Sequence, residues 1–239
     1  MSEYAVLLGG GHEILQSTEG YAFTQDSVLL ANLTKAGAKD RVLDLGCGGG
    51  VVGILLLLKK NVREVVGIDV DAAAVDLARR NVELNSLSDR MTVKECDVRL
   101  SGSVVGAGAF DKAVCNPPYY AFDDGAGASR NSRAKREGDA VLADFVAAGA
   151  RALKNGGDFV LVHKTDRLCD AVSAMRAAGL EPKRLVEVYP KPDAPADVFV
   201  MTARKGGAVG LVVESLTVRD AQGNETDAFK ELYEWQNSI

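Results

Sequence analysis

Short apolar runs of strand composition alternate with helix-like stretches from Arg41 onward, and this rhythm constrains the fold more than any other feature. Arg41–Leu45, Glu64–Asp69, Met91–Glu95, Phe110–Cys115 and Asp158–His163 read as buried strands. Gly50–Lys60, Asp71–Asn85, Asp139–Lys154 and Asp166–Ala178 read as helices between or after them. Lys59 and Lys60 suit a helix C-terminus, while Asn155-Gly156-Gly157 and Gly179 read as stops. Strands that alternate with helices build βαβ units, and hence a mostly parallel sheet covered on both faces. Arg184–Tyr189 and Val198–Ala203 follow as two late strands. Pro190, Pro192 and Pro195 lie between them and leave no room for a crossover helix, so at least one runs antiparallel. The expected fold is therefore α/β and Rossmann-like. Its mostly parallel sheet has seven strands, with an antiparallel strand near the C-terminal end and helices on both faces.

The flanks are less regular. The stretch to Tyr21, with Gly9-Gly10-Gly11, reads as a loose or hairpin-like lead-in. Asp26 is the expected acidic cap of a helix over Ser27–Leu33. Val209–Val218 has strand composition, and Thr226–Trp235 reads as a terminal helix. The expected organisation is a single domain over residues 1–239: a lead-in segment (1–35), a core (36–203) and a strand-and-helix extension (204–239).

Composition narrows the functional classes. The chain has 239 residues with 47% apolar and 26% charged side chains, which is globular and excludes general disorder. A net charge of -5 argues against gripping nucleic acid by bulk charge, although a local basic patch is compatible with it. The longest apolar run, Val51–Leu58, is far shorter than the roughly 20 residues of a membrane span, and no signal peptide is visible. Cys47, Cys96, Cys115 and Cys169 are scattered, and only His12 and His163 accompany them, so no metal site is expected. Reduced thiols fit a cytoplasmic chain.

Two sites carry chemistry. The first is Asp44-Leu45-Gly46-Cys47-Gly48-Gly49-Gly50, where a strand ends and a helix begins. Glycines there let a ligand lie against the backbone, as related turns do in dinucleotide and phosphate sites. Asp69 ends the next strand, where a carboxylate accepts from ribose hydroxyls, and Asp97 follows the third, where one accepts from an adenine amino group. The bland alternative is that all three acids are strand-end caps. The second site, Asn116-Pro117-Pro118-Tyr119, directly follows the fourth strand and so faces the same sheet edge.

Together these motifs resemble the class I S-adenosylmethionine (SAM) methyltransferases. The tetrapeptide is similar to the Asn-Pro-Pro-Tyr motif of enzymes that methylate adenine N6, cytosine N4 or glutamine N5. The resemblance implies that Asn116, Pro117, Pro118 and Tyr119 form the catalytic corner. A conjugated exocyclic amine is a poor nucleophile. The Asn116 oxygen and the Pro117 carbonyl would accept its two N–H groups, favour a pyramidal nitrogen and aim its lone pair at the methyl group. Tyr119 would offer a face for stacking a flipped base.

Phe23-Thr24-Gln25-Asp26-Ser27-Val28-Leu29-Leu30, Ala134-Lys135-Arg136-Glu137 and Val198-Phe199-Val200-Met201 extend the likeness to the valine-tRNA adenine-N6 methyltransferases, with Gln25 where members often carry glycine. That family implies SAM as cofactor, S-adenosylhomocysteine as product and no metal. It implies valine tRNA as partner, methylated at the adenosine just 3′ of the anticodon, with neither a membrane nor an obligate protein partner. It implies Thr24, Gln25, Asp26, Asp44, Gly46, Gly48, Gly50, Asp69, Asp97 and Asn116 as cofactor contacts. Arg130, Arg133, Lys135 and Arg136, just past the tetrapeptide, with Lys164 and Arg167 after the fifth strand, are the expected RNA contacts. A solvated charged face is the competing reading for them. His163 is expected to be scaffold, Phe229, Tyr233 and Trp235 a docking face, and Tyr120 and Phe122 are divided between base pocket and loop packing.

Two other functions remain at this point. Protein-glutamine methyltransferases share the tetrapeptide but carry a sizeable helical domain before the glycine loop, whereas 43 residues precede Asp44 here. A non-catalytic RNA-binding module retaining SAM is the third reading.

Overall fold

The computed structural model describes residues 3–17, 24–119 and 140–234. Strands β1 (Glu3–Gly9) and β2 (His12–Ser17) form an antiparallel hairpin, as the lead-in suggested. After helix α1 (Gln25–Leu33) come β3 (Arg41–Leu45), α2 (Val51–Lys60), β4 (Glu64–Asp69), α3 (Ala72–Leu84) and β5 (Met91–Glu95). The short α4 (Gly102–Val105) precedes β6 (Phe110–Cys115). Then follow α5 (Leu142–Ala152), β7 (Leu153–Lys164), α6 (Leu168–Ala177), β8 (Leu180–Tyr189), β9 (Val198–Lys205), β10 (Val212–Thr217) and α7 (Asp227–Tyr233).

The main sheet has the order β10-β8-β9-β7-β6-β3-β4-β5. From β7 to β5 every pairing is parallel, and β9 runs antiparallel to both β7 and β8. The seven expected strands are all present. The strand assigned to the C-terminal extension pairs in parallel with β8 and adds an eighth at the edge. It joins because β8 would otherwise end the sheet with unpaired backbone groups.

Along the central strands side chains alternate between two cores, whereas the edge strands β5 and β10 leave side chains exposed. Val42, Val114, Val160, Val162 and Val200 face the core closed by α1, α2 and α3. Leu43, Leu45, Ala113, Cys115, Phe159, Leu161 and Met201 face the core closed by α5 and α6. This double burial explains why the strands read as continuous apolar runs.

Several helix ends differ from expectation, among them those of α1 and α5. Asp26 is not the cap of α1: Thr24 holds that position with extended backbone, and Asp26 lies in the first turn. Helix α5 stops at Ala152 rather than Lys154, because Leu153 is already paired with Phe110 at the start of β7. The Asn155-Gly156-Gly157 stretch therefore lies inside a strand.

The hairpin is tied down by a wholly buried asparagine on α3. Asn81 Oδ1 accepts from Leu15 N–H at 2.8 Å, and its Nδ2 donates to Leu15 O at 3.1 Å and to Gly49 O at 2.9 Å. One amide thus joins β2, α3 and the glycine loop. Asn81→Leu strips three backbone groups of their partner, and buried unpaired groups are costly. The expected loss is about 2 kcal/mol or more of stability, read as a lower urea midpoint with the far-ultraviolet circular dichroism unchanged.

Candidate functional site

Strand order changes direction at β3. Its neighbour on one side is β4, the next strand in the chain, and on the other is β6. Leu45 pairs with Ile68 of β4 and with Cys115 of β6. The chain therefore leaves three adjacent strands at the same height as Gly46, Asp69 and Asn116. Adjacent strands lie about 5 Å apart, and ligands collect where an open parallel sheet reverses its order. The glycine loop and the Asn-Pro-Pro-Tyr corner flank that crevice.

The loop departs from ordinary helix entry. Gly46, Gly48 and Gly50 adopt φ of 70°, 52° and 84°, a left-handed run that side chains disfavour. Gly46 and Cys47 N–H groups both donate to Ile68 O, at 2.9 and 3.0 Å. Gly48 N–H donates to Asp69 Oδ2 at 2.8 Å, and Asp71 N–H donates to Asp69 Oδ1 at 3.0 Å. Burial raises the Asp69 carboxyl, and those two backbone donors partly offset it. A Cβ built on Gly48 meets nothing within 4 Å, so the outer surface of the loop is open.

Asp44 sits beneath this surface. It is only 1% exposed, and its Oδ2 accepts from Gly53 N–H of α2 at 3.2 Å. Gly53 is needed for that approach: a Cβ there would stand 2.7 Å from Met91 Cε and 2.9 Å from Val65 Cγ1. Asp97 caps a short 3-10 turn, accepts from Arg99 N–H at 2.9 Å and is ion-paired with the Arg99 guanidinium. That pair lowers its carboxyl. Of the three strand-end acids, Asp69 therefore borders the open loop surface, Asp44 supports the loop from below, and Asp97 engages its own neighbour.

At the other wall, Asn116 and Tyr119 are half-buried, Pro117 is buried and Pro118 is exposed. Asn116 Nδ2 donates to Ser27 Oγ at 3.0 Å. The Tyr119 hydroxyl contacts Asn116 Oδ1 at 3.2 Å and Asp26 Oδ2 at 3.0 Å. Asp26 thus turns toward the acceptor corner. Desolvation raises its carboxyl despite the Tyr119 hydrogen bond. The Tyr119 ring meets His163 edge-on, with centroids 5.0 Å apart, and Lys164 Nζ stands 5.7 Å from its centroid. His163 is buried, and its Nδ1 accepts from Lys164 N–H at 2.9 Å, which places the ring proton on Nε2.

The predicted RNA contacts divide. Lys164, near the Tyr119 ring, pairs with Asp197 at 2.9 Å, and Arg167 pairs with Asp170 at 2.8 Å. Arg130, Arg133, Lys135 and Arg136, like Tyr120, Phe122 and Trp235, lie outside the described residues. Phe229 is buried against Tyr233, with ring centroids 4.6 Å apart, as a docking face requires. A cavity of about 530 Å³ opens beside Asp26, between α1, α7 and the ends of β8 and β10. Asp197, Arg219 and Glu225 contribute to its walls. Sequence reasoning did not single out Ser27, Asn81 or Gly53, because each acts through a partner distant in the chain or packed across the sheet.

Cys47 and Cys115 are buried, and desolvation keeps both thiols protonated. Among the described residues, no three His, Cys, Asp or Glu side chains gather as metal ligands, and no helix is long and apolar enough to cross a membrane.

Comparison with known proteins agrees with this arrangement. Residues 24–178 match the methyltransferase small domain family. The chain is 27% identical over 170 residues, 71% of each chain, to a tRNA1(Val) (adenine(37)-N6)-methyltransferase of Bacteroides fragilis. It is 27% identical over 209 residues to the enzyme of the same name from Bacteroides thetaiotaomicron, spanning 87% of this chain and 86% of the other. The crystal structure of a predicted O-methyltransferase from Agrobacterium tumefaciens superposes with a TM-score of 0.73 at 21% identity. The match covers 87% of this chain and 95% of that one, and shows the fold shared with methyltransferases.

Burial pushes the Asp44 carboxyl up to about 7, against 3.8 for an ordinary aspartate. Between those values the folded chain holds a proton that the unfolded chain releases, so this group's contribution to stability falls as pH rises from about 4 to about 7 and is level above. Asp44→Asn keeps an oxygen for Gly53 N–H but no longer titrates. The stability of the wild type relative to Asp44→Asn should fall by up to roughly 4 kcal/mol across that window. Urea unfolding of both proteins at pH 4.5 and pH 8 should show about 3 kcal/mol of it, since pH 4.5 already lies above the unfolded aspartate value.

Proposed function

The chain belongs to the methyltransferase small domain family, and from that premise we propose that it methylates the exocyclic N6 amine of an adenosine in tRNA, with SAM as methyl donor. The substrate we infer is position 37 of valine tRNA, the site named for both Bacteroides relatives. A cytoplasmic location follows from that substrate. The observation that carries the reading is the register at Leu45, which sets the glycine loop and Asp69 on one side of a crevice and Asn116 on the other.

The residues present fit the cofactor. The open surface over Gly48 admits a ligand against the backbone, and Asp69 borders that surface as an acceptor for ribose hydroxyls beside its backbone contacts from Gly48, Val70 and Asp71. Gly46, Gly48 and Gly50 would form the bed and Asp44 would hold it from below. Thr24, Gln25 and Asp97 remain inferred contacts from the family likeness. When bound, SAM supplies a methyl group on a positively charged sulfur and leaves as S-adenosylhomocysteine.

On the acceptor side, Asn116 Oδ1 accepts one N–H of the adenine amine and the Pro117 carbonyl the other. Two acceptors oppose delocalisation of the nitrogen lone pair into the ring. The C–N bond forms as the C–S bond breaks, and the amine's surplus proton passes to solvent. Asn116 cannot titrate, so its part is orientation and charge stabilisation. Arg130, Arg133, Lys135, Arg136, Lys164 and Arg167 would meet phosphates. An unpaired loop adenosine is cheaper to extrude than one in a duplex.

Treating tRNA with the protein and SAM, then digesting to nucleosides for mass spectrometry, should yield N6-methyladenosine that maps next to the anticodon. Methyl label found only in protein would overturn the reading. Asn116→Ala should lower kcat about a hundredfold with little loss of SAM affinity. Asp69→Ala should weaken SAM binding about tenfold by calorimetry. Arg133→Ala with Arg136→Ala should flatten the salt dependence of tRNA binding by about two in slope.

A further inference from the structure

Asn116 is held at both ends of its amide. Its Nδ2 donates to Ser27 Oγ at 3.0 Å, a contact spanning 89 positions of the chain, and its Oδ1 lies 3.2 Å from the Tyr119 hydroxyl, whose one proton it shares with Asp26 Oδ2 at 3.0 Å. Ser27 is buried, 6% exposed, in the first turn of α1, with its N–H on Thr24 O at 3.1 Å. The rest of α1 is locked by burial of Val28, Leu29, Leu30 and Ala31. At the far side, Asn116 follows Cys115, which is wholly buried and paired to β3. Both anchors of the contact are therefore rigid. The same turn grips the corner a second time through Asp26 and the Tyr119 hydroxyl.

A primary amide turns easily about its last side-chain bond. For Asn116 to accept from an amine, its oxygen must stay toward the crevice and its NH2 away from it. The Ser27 Oγ engages the NH2, and a half-turn would point that NH2, a donor, at the donating N–H of the incoming amine. We propose that Ser27 is a positioning residue for methyl transfer, holding the Asn116 amide plane so that Oδ1 meets the incoming amine. On this view the first turn of α1 serves the acceptor, not only the cofactor. The inference rests on the methyltransferase reading for its chemistry.

Two substitutions separate positioning from packing. Ser27→Ala removes the acceptor, and Ser27→Cys keeps nearly the same volume but offers only a weak one. Both should lower kcat on tRNA about tenfold, the worth of one well-placed hydrogen bond, with KM for tRNA and the Kd for SAM within about twofold of wild type. Wild-type kcat in Ser27→Cys, with or without a loss in Ser27→Ala, would overturn the proposal, since shape alone would then suffice. A nitrogen-15 spectrum gives a second readout that needs no substrate. The Asn116 side-chain amide resonances, assigned by their loss in Asn116→Ala, should move in both variants. Unmoved resonances would also overturn it. If wild-type protein methylates no tRNA, the substrate reading falls, and the amide resonances still decide whether Ser27 holds Asn116.

Discussion

The parallel pairing of Leu45 with Ile68 on one side and Cys115 on the other is the constraint on which the site depends. Parallel strands in register end together, so whatever follows each strand emerges at one edge. β3 is flanked by β4 and β6 rather than by two strands of one connected run, and this opens a crevice between their exits. A shift of one residue would turn Asp44 away from α2 and send the adjacent apolar residues to the wrong core. The two-core alternation on β3 and β6 resists such a slip.

Side-chain amides then connect parts that the sheet alone does not. Asn81 joins the hairpin to the glycine loop, and Asn116 joins the end of β6 to α1. Each uses both ends of its amide. Such contacts add little net stability when made and cost much when broken. Their effect is to give the loop and the corner one arrangement each. Asp44 acts similarly from beneath, its carboxylate taken by Gly53 N–H where the absence of a side chain lets α2 approach the sheet.

Much of this was legible from local pattern. The bounds of β4 and β6 coincide with those read from their apolar runs, since a strand buried on both faces leaves little doubt about where it begins and ends, and those of β5 coincide although it is an edge strand with one face open. The ends of α1 and α5 were less legible. Asp26 has the chemistry of a cap, yet Tyr119 claims its carboxylate and Thr24 takes the cap position. Lys154-Asn155-Gly156-Gly157 has the composition of a helix stop, yet pairing of Leu153 with Phe110 ends the helix earlier. In both cases a contact from a distant segment outweighed a local preference.

The order of residues already determines the alternating strands and helices, the glycine loop at one strand end and the amide-bearing corner at another. These depend on periodicity and on glycine and proline stereochemistry, which act over a few residues. Which acid borders the open loop, which lies beneath it and which neighbour holds the Asn116 amide were decided only when the chain closed on itself. Ser27 and Asn116 stand 89 positions apart, and no local rule orients two groups at that separation. Their meeting follows from packing α1 against the sheet, a consequence of the whole apolar core.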